Sequence, residues 1–168
     1  FRSGSFNTMK NTIKFGTGLI NNHFSIDGRL SSLQSDGYID RASSDLKSYY
    51  LSGQYVSGKT SIKLITFAGH EKTYQSWGGV PKDSLKTNRT YNPYTYDNEV
   101  DNFNQTHYQL HFNRTLSDKL LLNISLHYTK GAGYFEQYRE NDDLSDYSIA
   151  PVITTNDTIT TTDLIRRR

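Results

Sequence analysis

Three carboxylates alternate along a polar stretch near the middle of the chain: Asp97, Glu99 and Asp101. Asn98 and Asn102 lie among them, so this stretch offers carboxylate and amide oxygens at high density. Hard cations such as Ca²⁺ prefer oxygen ligands of this kind. The stretch lacks the glycine and the distal glutamate of an EF-hand loop. It therefore predicts either a structural Ca²⁺ site or an ordinary solvated acidic loop.

The same region is rich in aromatic residues that could contact a ligand. Aromatic side chains on a loop offer rigid apolar surface, and binding residues are often carried on loops held by a rigid scaffold. Packing of these side chains within the loop is the alternative. The candidates for ligand binding are Tyr74, Trp77, Tyr91, Tyr94 and Tyr96.

Three histidines, His107, His111 and His127, share one parity in two neighbouring predicted strands. Because alternate residues of a strand point to the same face, the predicted pairing places the three side chains close together. Imidazoles so placed could bind a metal ion or haem. Polar wall residues that hydrogen-bond to water or to an internal domain are the alternative.

Catalytic motifs do not accompany these residues. The chain has no cysteine, no Gly-x-Ser-x-Gly elbow and no phosphate-binding loop. Its formal net charge of +2 gives no basic footprint for nucleic acid. We therefore expect a protein that is not an enzyme, that does not bind nucleic acid, and that needs no cofactor beyond the Ca²⁺ considered above.

The secondary-structure elements that position these residues must form from a sequence with few hydrophobic residues. Hydrophobic residues make up 34% of the 168 residues, and the mean hydropathy is −0.72. No stretch approaches the roughly 18 apolar residues of a membrane helix. A β-barrel wall requires apolar residues only at alternate positions, since its other face lines a polar lumen. The 13 Tyr and 8 Phe suit the aromatic girdles of such a wall.

Period-2 alternation across a tight turn occurs first around the Asn-Asn pair at 21–22. Two asparagines can adopt the positive φ of a two-residue type I′ turn. Pairing Ile20 with His23 then places Ile13 opposite Leu30, and every large apolar residue falls on one face. The sequence thus predicts a hairpin with a defined register.

A second hairpin is predicted at Gly58-Lys59, where glycine at the first central position suits a type II′ turn. Its register sets Tyr55 opposite Ile62. Ile65 and Phe67 fall on the otherwise polar face, which predicts either a bulge or a contact with a domain inside the barrel.

A third hairpin is predicted through a three-residue loop at 117–119. Its register sets Phe112 opposite Ile124 and Leu110 opposite Leu126, and again leaves one face apolar and the other polar.

Connections between these strands alternate between minimal turns and long polar segments, near 32–45, 69–103 and 130–158. Strands of about 9–12 residues have the length that a tilted strand needs to cross a bilayer. Structureless loops this long count against a compact soluble domain. The predicted fold is therefore all-β: a partial antiparallel up-and-down transmembrane β-barrel of about six long strands, with short periplasmic turns and long extracellular loops.

Local sequence strings spread over nearly the whole chain resemble the barrel of TonB-dependent outer-membrane receptors. They are GSFNT at 4–8, SDGYIDRAS at 35–43, EKTYQSW at 71–77, LKTNRTYN at 85–92 and GAGYFEQY at 131–138. By this resemblance GSFNT is the entry to an early strand, and 163–168 begins a following one. The first residue is Phe1 and the chain ends in three arginines, so residues 1–168 are expected to be a barrel fragment truncated at both ends.

The resemblance implies a barrel of about 22 strands plugged by an N-terminal domain. It implies a receptor in the outer membrane that imports a scarce nutrient, with a ferric siderophore as the candidate, on TonB-supplied energy. The implied partners are outer-membrane lipid and lipopolysaccharide, the receptor's own plug, the TonB complex acting through that plug, and a small-molecule or metal-chelate ligand. A passive porin-type barrel and a soluble extracellular β-sandwich binding module are the alternatives.

Overall fold

The computed structural model describes all 168 residues and consists almost entirely of β-strands. Six long strands form its centre, as predicted. They are β2 (Met9–Gly16), β3 (Phe24–Ser35), β4 (Ser44–Ser57), β5 (Thr60–Tyr74), β6 (Val100–Ser117) and β7 (Leu120–Asp143). The short strands are β1 (Arg2–Ser3), β8 (Val152–Ile153), β9 (Thr158–Ile159) and β10 (Thr161–Arg167), and two 3₁₀ turns cover Ser84–Lys86 and Leu144–Tyr147.

Eight of the strands form one antiparallel sheet in the order β1-β2-β3-β4-β5-β6-β7-β10, and β8 pairs with β9 in a separate small hairpin. Each long strand pairs with the next along the chain, which is the predicted up-and-down arrangement. The sheet does not close on itself, since β1 and β10 lie at its two edges. The strand predicted after residue 163 is β10, and the GSFNT string forms the turn that leads from β1 into β2.

The first hairpin, β2–β3, has the predicted register but a longer turn. Asn21 and Asn22 both adopt positive φ, as predicted. Ile20, however, bridges Phe24 rather than His23, so three residues form the loop instead of two. Gly18, at a φ of 64°, lies where the register changes, and glycine takes this conformation without steric cost.

In the second and third hairpins the predicted pairing is also confirmed. Gly58 begins the second turn with a φ of 51°. In the third, Ser117 pairs directly with Leu120, so the turn has two residues and the predicted three-residue loop is wrong. The extra residue is accommodated by an irregularity between Thr115 and Ser117, in the manner of a β-bulge.

Strand lengths exceed the prediction from β4 onwards. β4 to β7 contain 14, 15, 18 and 24 residues, where about 9–12 were expected. The predicted long loops are correspondingly shorter and cover 36–43, 75–99 and 144–160. Polar residues beyond the apolar part of each strand remain paired, so polarity alone does not mark the strand end. We call the end of the sheet that carries these three connections the loop rim.

One face of the sheet is an exposed apolar surface, which we call the apolar band. The registers bring the alternate large side chains of all six long strands onto this face. Its most exposed members are between 43% and 65% accessible: Ile13, Phe15, Phe24, Ile26, Leu30, Leu51, Leu64, Tyr108, Ile124, Leu126 and Tyr128.

Aromatic side chains mark both margins of the apolar band. Towards the loop rim, Tyr108 and Tyr128 face each other with ring centres 6.2 Å apart. Towards the short turns, Phe24 and Tyr55 pack at 4.8 Å. Between the Tyr108 margin and the loop rim, the same face is polar. Four neighbouring strands carry paired polar residues there: Ser32, Lys47, His70 and Asn104. The band therefore has a defined height.

The opposite face is mostly polar along the same strands, and its apolar residues include Ile65 and Phe67 of β5 and the paired Leu33 and Leu46 of β3 and β4. The β5 ladder runs without a bulge, so the bulge alternative for Ile65 and Phe67 is wrong. Phe67 stacks on His107 of β6 with ring centres 4.4 Å apart and planes 13° from parallel. A neighbouring imidazole thus covers part of the apolar ring.

No helix in the structure combines the length and the apolar character needed to cross a membrane. Most of the buried side chains lie at the loop rim rather than in the middle of the sheet, and most of those are polar. They are Tyr74, Gln75, Asn92, Glu99, Val100, Glu136, Gln137 and Leu144.

Candidate functional site

At the centre of the loop rim, two buried amides join three strands and a loop. Gln75, which follows β5, donates from Nε2 to the carbonyl oxygen of Glu136 at 3.0 Å. Gln137 of β7 donates to Gln75 Oε1 at 2.9 Å and accepts a hydrogen bond from Arg166 of β10. Because buried amides cost free energy unless they are paired, these contacts hold the start of the long loop in one place.

Glu136 is the charged centre of this network. Its Oε1 accepts hydrogen bonds from Tyr96 Oη at 2.9 Å and from Asn98 Nδ2 at 2.8 Å. Its Oε2 accepts from Arg167 Nε at 2.7 Å. The Arg167 guanidinium also lies 4.2 Å from the centre of the Tyr134 ring, a cation–π distance. One carboxylate thus ties the end of the 75–99 loop to β7 and β10.

Hydrogen bonds shift the pKa of the Glu136 carboxyl below its ordinary value. The bond from Asn98 contributes most, Tyr96 and Arg167 act in the same direction, and burial opposes them. Since the folded-state pKa is lowered, the contribution of this carboxylate to stability is fully present above the ordinary pKa of a glutamate. It is lost as the pH falls through the lowered value, so the network should hold at neutral pH.

A second set of contacts ties the 75–99 loop to the 36–43 loop. Asn92 is buried and donates from Nδ2 to the carbonyl oxygens of Asp40 and Gln75, at 2.8 and 3.0 Å. Arg41 donates to the carbonyl oxygens of Asn92 and Tyr94, both at 2.9 Å. The long loop is therefore an ordered cap on the rim.

The five candidate aromatic residues divide into two groups. Tyr74 is buried and donates its hydroxyl to the carbonyl oxygen of Tyr96 at 2.8 Å, and Tyr96 itself binds Glu136. Tyr94 is half-buried. Trp77 and Tyr91 remain 60% and 37% exposed, and Trp77 meets the edge of Phe135. Ligand binding by these residues stays a prediction, and Trp77 and Tyr91 are the two that present the most surface.

The three candidate Ca²⁺ ligands lie in different surroundings. Glu99 is buried, Asp97 is exposed, and Asp101 is half-buried at the start of β6. No group of three or more His, Cys, Asp or Glu side chains converges as a metal site. Burial raises the pKa of the Glu99 carboxyl, which backbone hydrogen bonds partly offset. Calcium binding here stays a prediction, and the three carboxylates do not converge on one point.

His107, His111 and His127 lie on the polar face, as their parity predicted. His107 and His127 are in direct contact, whereas His111 hydrogen-bonds to Ser125 and Gln109.

Sequence reasoning did not select the residues that build the polar core of the rim: Gln75, Asn92, Glu136, Gln137, Arg166 and Arg167. The stretch at 130–158 was expected to be a loop, so positions 136 and 137 had no predicted partners. The signal that could have found them is the alternation of the strand, which continues with polar residues past Tyr128.

Replacing Glu136 by alanine should release the 75–99 loop from the sheet. The change removes the acceptor for Tyr96, Asn98 and Arg167 at once, and hydrogen bonds to a charged group are among the stronger ones. We expect amide exchange in the loop, measured by hydrogen–deuterium exchange and mass spectrometry, to accelerate by roughly tenfold or more. Glu140→Ala, an exposed position on the same strand, is the matched control. Equal exchange in the two variants would contradict the assigned role of Glu136.

Comparison with known proteins supports the fold. No protein-family model matches the chain, and no curated protein matches its sequence. Among solved structures it is similar to the closed form of the ferric-catecholate import receptor Fiu from E. coli K12, with a TM-score of 0.70 and 12% identity. The match covers 98% of this chain and 25% of that receptor, so the chain spans about a quarter of its length. At this identity the similarity concerns architecture, and the chain has the fold of a partial, open β-barrel.

Proposed function

We propose that the chain is part of an outer-membrane active-transport receptor, which binds a scarce nutrient and imports it with TonB-supplied energy. The observation that carries the proposal is the match of nearly the whole chain to the barrel-type fold of an import receptor. The strings at 4–8, 35–43, 71–77, 85–92 and 131–138, which resemble TonB-dependent receptors, support the same family.

The apolar band supports a location in the outer membrane. An exposed apolar face of this extent would be costly in water, because transfer of apolar surface to an apolar environment is favourable. Aromatic residues at both margins are typical of barrel surfaces at the two membrane interfaces. Lipid covers the band, and lipopolysaccharide is the neighbour expected on the outer leaflet side.

The loop rim supports the position of the ligand-binding side. Minimal turns at one end and long loops at the other are typical of outer-membrane barrels, in which the long loops face outward. Trp77 and Tyr91 are the exposed aromatic side chains of the longest loop. The ligand proposed from the matched receptor is a ferric catecholate, whose aromatic rings could stack on such side chains.

The energy source belongs to parts of the receptor other than this chain. In the proposed receptor an N-terminal plug fills the lumen and contacts the polar face, and the TonB complex acts through that plug. The barrel segment itself then contributes binding surface and wall, carries out no catalysis, and requires no cofactor.

The alternatives differ in observable ways. A soluble β-sandwich packs a second sheet on its apolar face, so its full-length protein would stay in aqueous buffer without detergent. A passive porin shares the wall chemistry but conducts small solutes without energy.

Vesicle reconstitution of the full-length protein separates a receptor from a porin. We expect vesicles containing it to exclude a small sugar in a swelling assay. We also expect cells producing it to accumulate radioactive iron complexed with a catechol. This uptake should cease when TonB is deleted. Free passage of the sugar would support the porin, and uptake unaffected by TonB deletion would overturn the energy-coupled proposal.

A further inference from the structure

On the polar face of the sheet, two imidazoles meet across β6 and β7. His107 lies directly opposite Thr129, and His127 lies two residues before Thr129 on the same strand. His107 Nδ1 and His127 Nε2 are 3.3 Å apart. Their ring centres are 5.5 Å apart and their planes are 7° from parallel, so the two rings meet edge to edge.

A hydroxyl completes the group. Thr129 Oγ1 lies 3.0 Å from His107 Nδ1 and 2.8 Å from His127 Nε2. Two ring nitrogens and one oxygen therefore form a compact triangle on the open side of the sheet. His111, the third histidine on this face, is engaged with Ser125 and Gln109 instead.

The separation of the two nitrogens suits a shared metal ion. Nitrogens that each lie about 2.0–2.1 Å from a tetrahedral zinc ion are roughly 3.3 Å from each other. Small rotations of the two rings would point both lone pairs at one ion, while the strands stay fixed. Imidazole is a preferred ligand of Zn²⁺, Cu²⁺ and Ni²⁺, whereas Ca²⁺ and Mg²⁺ prefer oxygen.

The surroundings favour this use of the pair. Phe67 stacks on His107 and restrains its ring from the β5 side. The adjacent positions on this face are Ile65, Gly69, Gln105, Gln109, Ser125 and Gly131, so no lysine or arginine beside the pair opposes a cation. His127 and Thr129 are exposed on this face, so water could complete the coordination.

We propose that His107 and His127 form a binding site for a divalent transition-metal ion, with Thr129 hydrogen-bonded to a water on the metal. The site is distinct from the loop rim and does not depend on the identity of the imported ligand. With two protein ligands and an open coordination sphere, it is suited to reversible occupancy rather than to a permanent structural role.

Copper binding to the full-length protein in detergent tests the proposal, with Cu²⁺ itself as the probe. We expect the electron paramagnetic resonance spectrum of one bound Cu²⁺ to show hyperfine coupling to two imidazole nitrogens. His107→Gln and His127→Gln should each weaken Cu²⁺ binding by at least about tenfold in calorimetry. His111 lies on the same face, four residues after His107 on β6, and His111→Gln should leave the affinity unchanged.

Two variants are needed because His107 also stacks on Phe67, so a loss in His107→Gln alone could come from a folding defect. Circular dichroism melting of both variants should match that of the parent protein. Undiminished copper binding in the His127→Gln variant, or an equal loss in the His111→Gln variant, would overturn the proposal.

Discussion

Leu110→Arg should lower the free energy of unfolding of the full-length protein in lipid vesicles by about 2–4 kcal/mol. Leu110 lies in the middle of the apolar band, directly between Leu64 on β5 and Leu126 on β7. An arginine there would place a charge against the hydrocarbon core, because no polar partner lies beside it on that face. Equilibrium denaturant titration, followed by tryptophan fluorescence, gives the difference from the parent protein.

The neighbouring residue provides the matched control. Gln109 occupies the polar face, opposite Ile65 and His127. Gln109→Arg introduces the same side chain one residue away and should cost less than about 1 kcal/mol. Equal losses at 109 and 110 would mean that the two faces are not distinguished by lipid, and would leave the membrane assignment without its physical basis.

Strand register was predictable because it is fixed by a simple constraint. A slip of one residue moves every side chain of a strand to the other face, so only one pairing placed Ile13, Leu30 and the other large apolar residues together. The turns at 21–22 and 58–59 agreed with that pairing, since asparagine and glycine accept positive φ. The details that failed, one extra residue at His23 and one fewer at Ser117, are local adjustments that leave the register unchanged.

Strand ends were not predictable from the same pattern. The alternation of apolar and polar residues fades where the strand leaves the apolar band, yet β7 continues as far as Asp143. Beyond that margin the backbone remains paired, because β6 pairs with β7 as far as Phe135 and β10 pairs with it from Glu136 onwards. Polar sequence there reflects a change of surroundings rather than a change of secondary structure.

The polar core of the loop rim was the least accessible part. Gln75 and Gln137 are 62 residues apart, and Glu136 binds a tyrosine 40 residues away. Contacts over such separations depend on how three connections fold together above the sheet. Of the predicted aromatic residues, Tyr74 and Tyr96 turn out to bind this core, and a sequence pattern cannot distinguish such a role from exposure to a ligand.

Cysteines placed on the two ends of the sheet should respond oppositely to an impermeant thiol reagent on whole cells. Lys86→Cys lies at the exposed end of a 3₁₀ turn in the 75–99 loop, and Asp118→Cys lies in the exposed turn between β6 and β7. The chain has no native cysteine. If long loops face outward, position 86 should be labelled nearly completely and position 118 hardly at all. Both should react once the cells are lysed, which shows that each thiol is accessible in itself.

Addition of ligand before the reagent extends this experiment to the binding site. Hydrogen bonds donated by Asn92 and Arg41, and one that Glu136 accepts from Tyr96, hold the 75–99 loop over the rim. A ligand bound at Trp77 would contact the same loop that carries the label. A ferric complex of catechol should therefore slow labelling at position 86 by several-fold.

A cysteine in the 36–43 loop, at the exposed Asp40, serves as a second reporter on the same rim. Labelling of position 118 in intact cells would reverse the proposed topology. An unchanged rate at both 86 and 40 would place ligand binding away from these two loops.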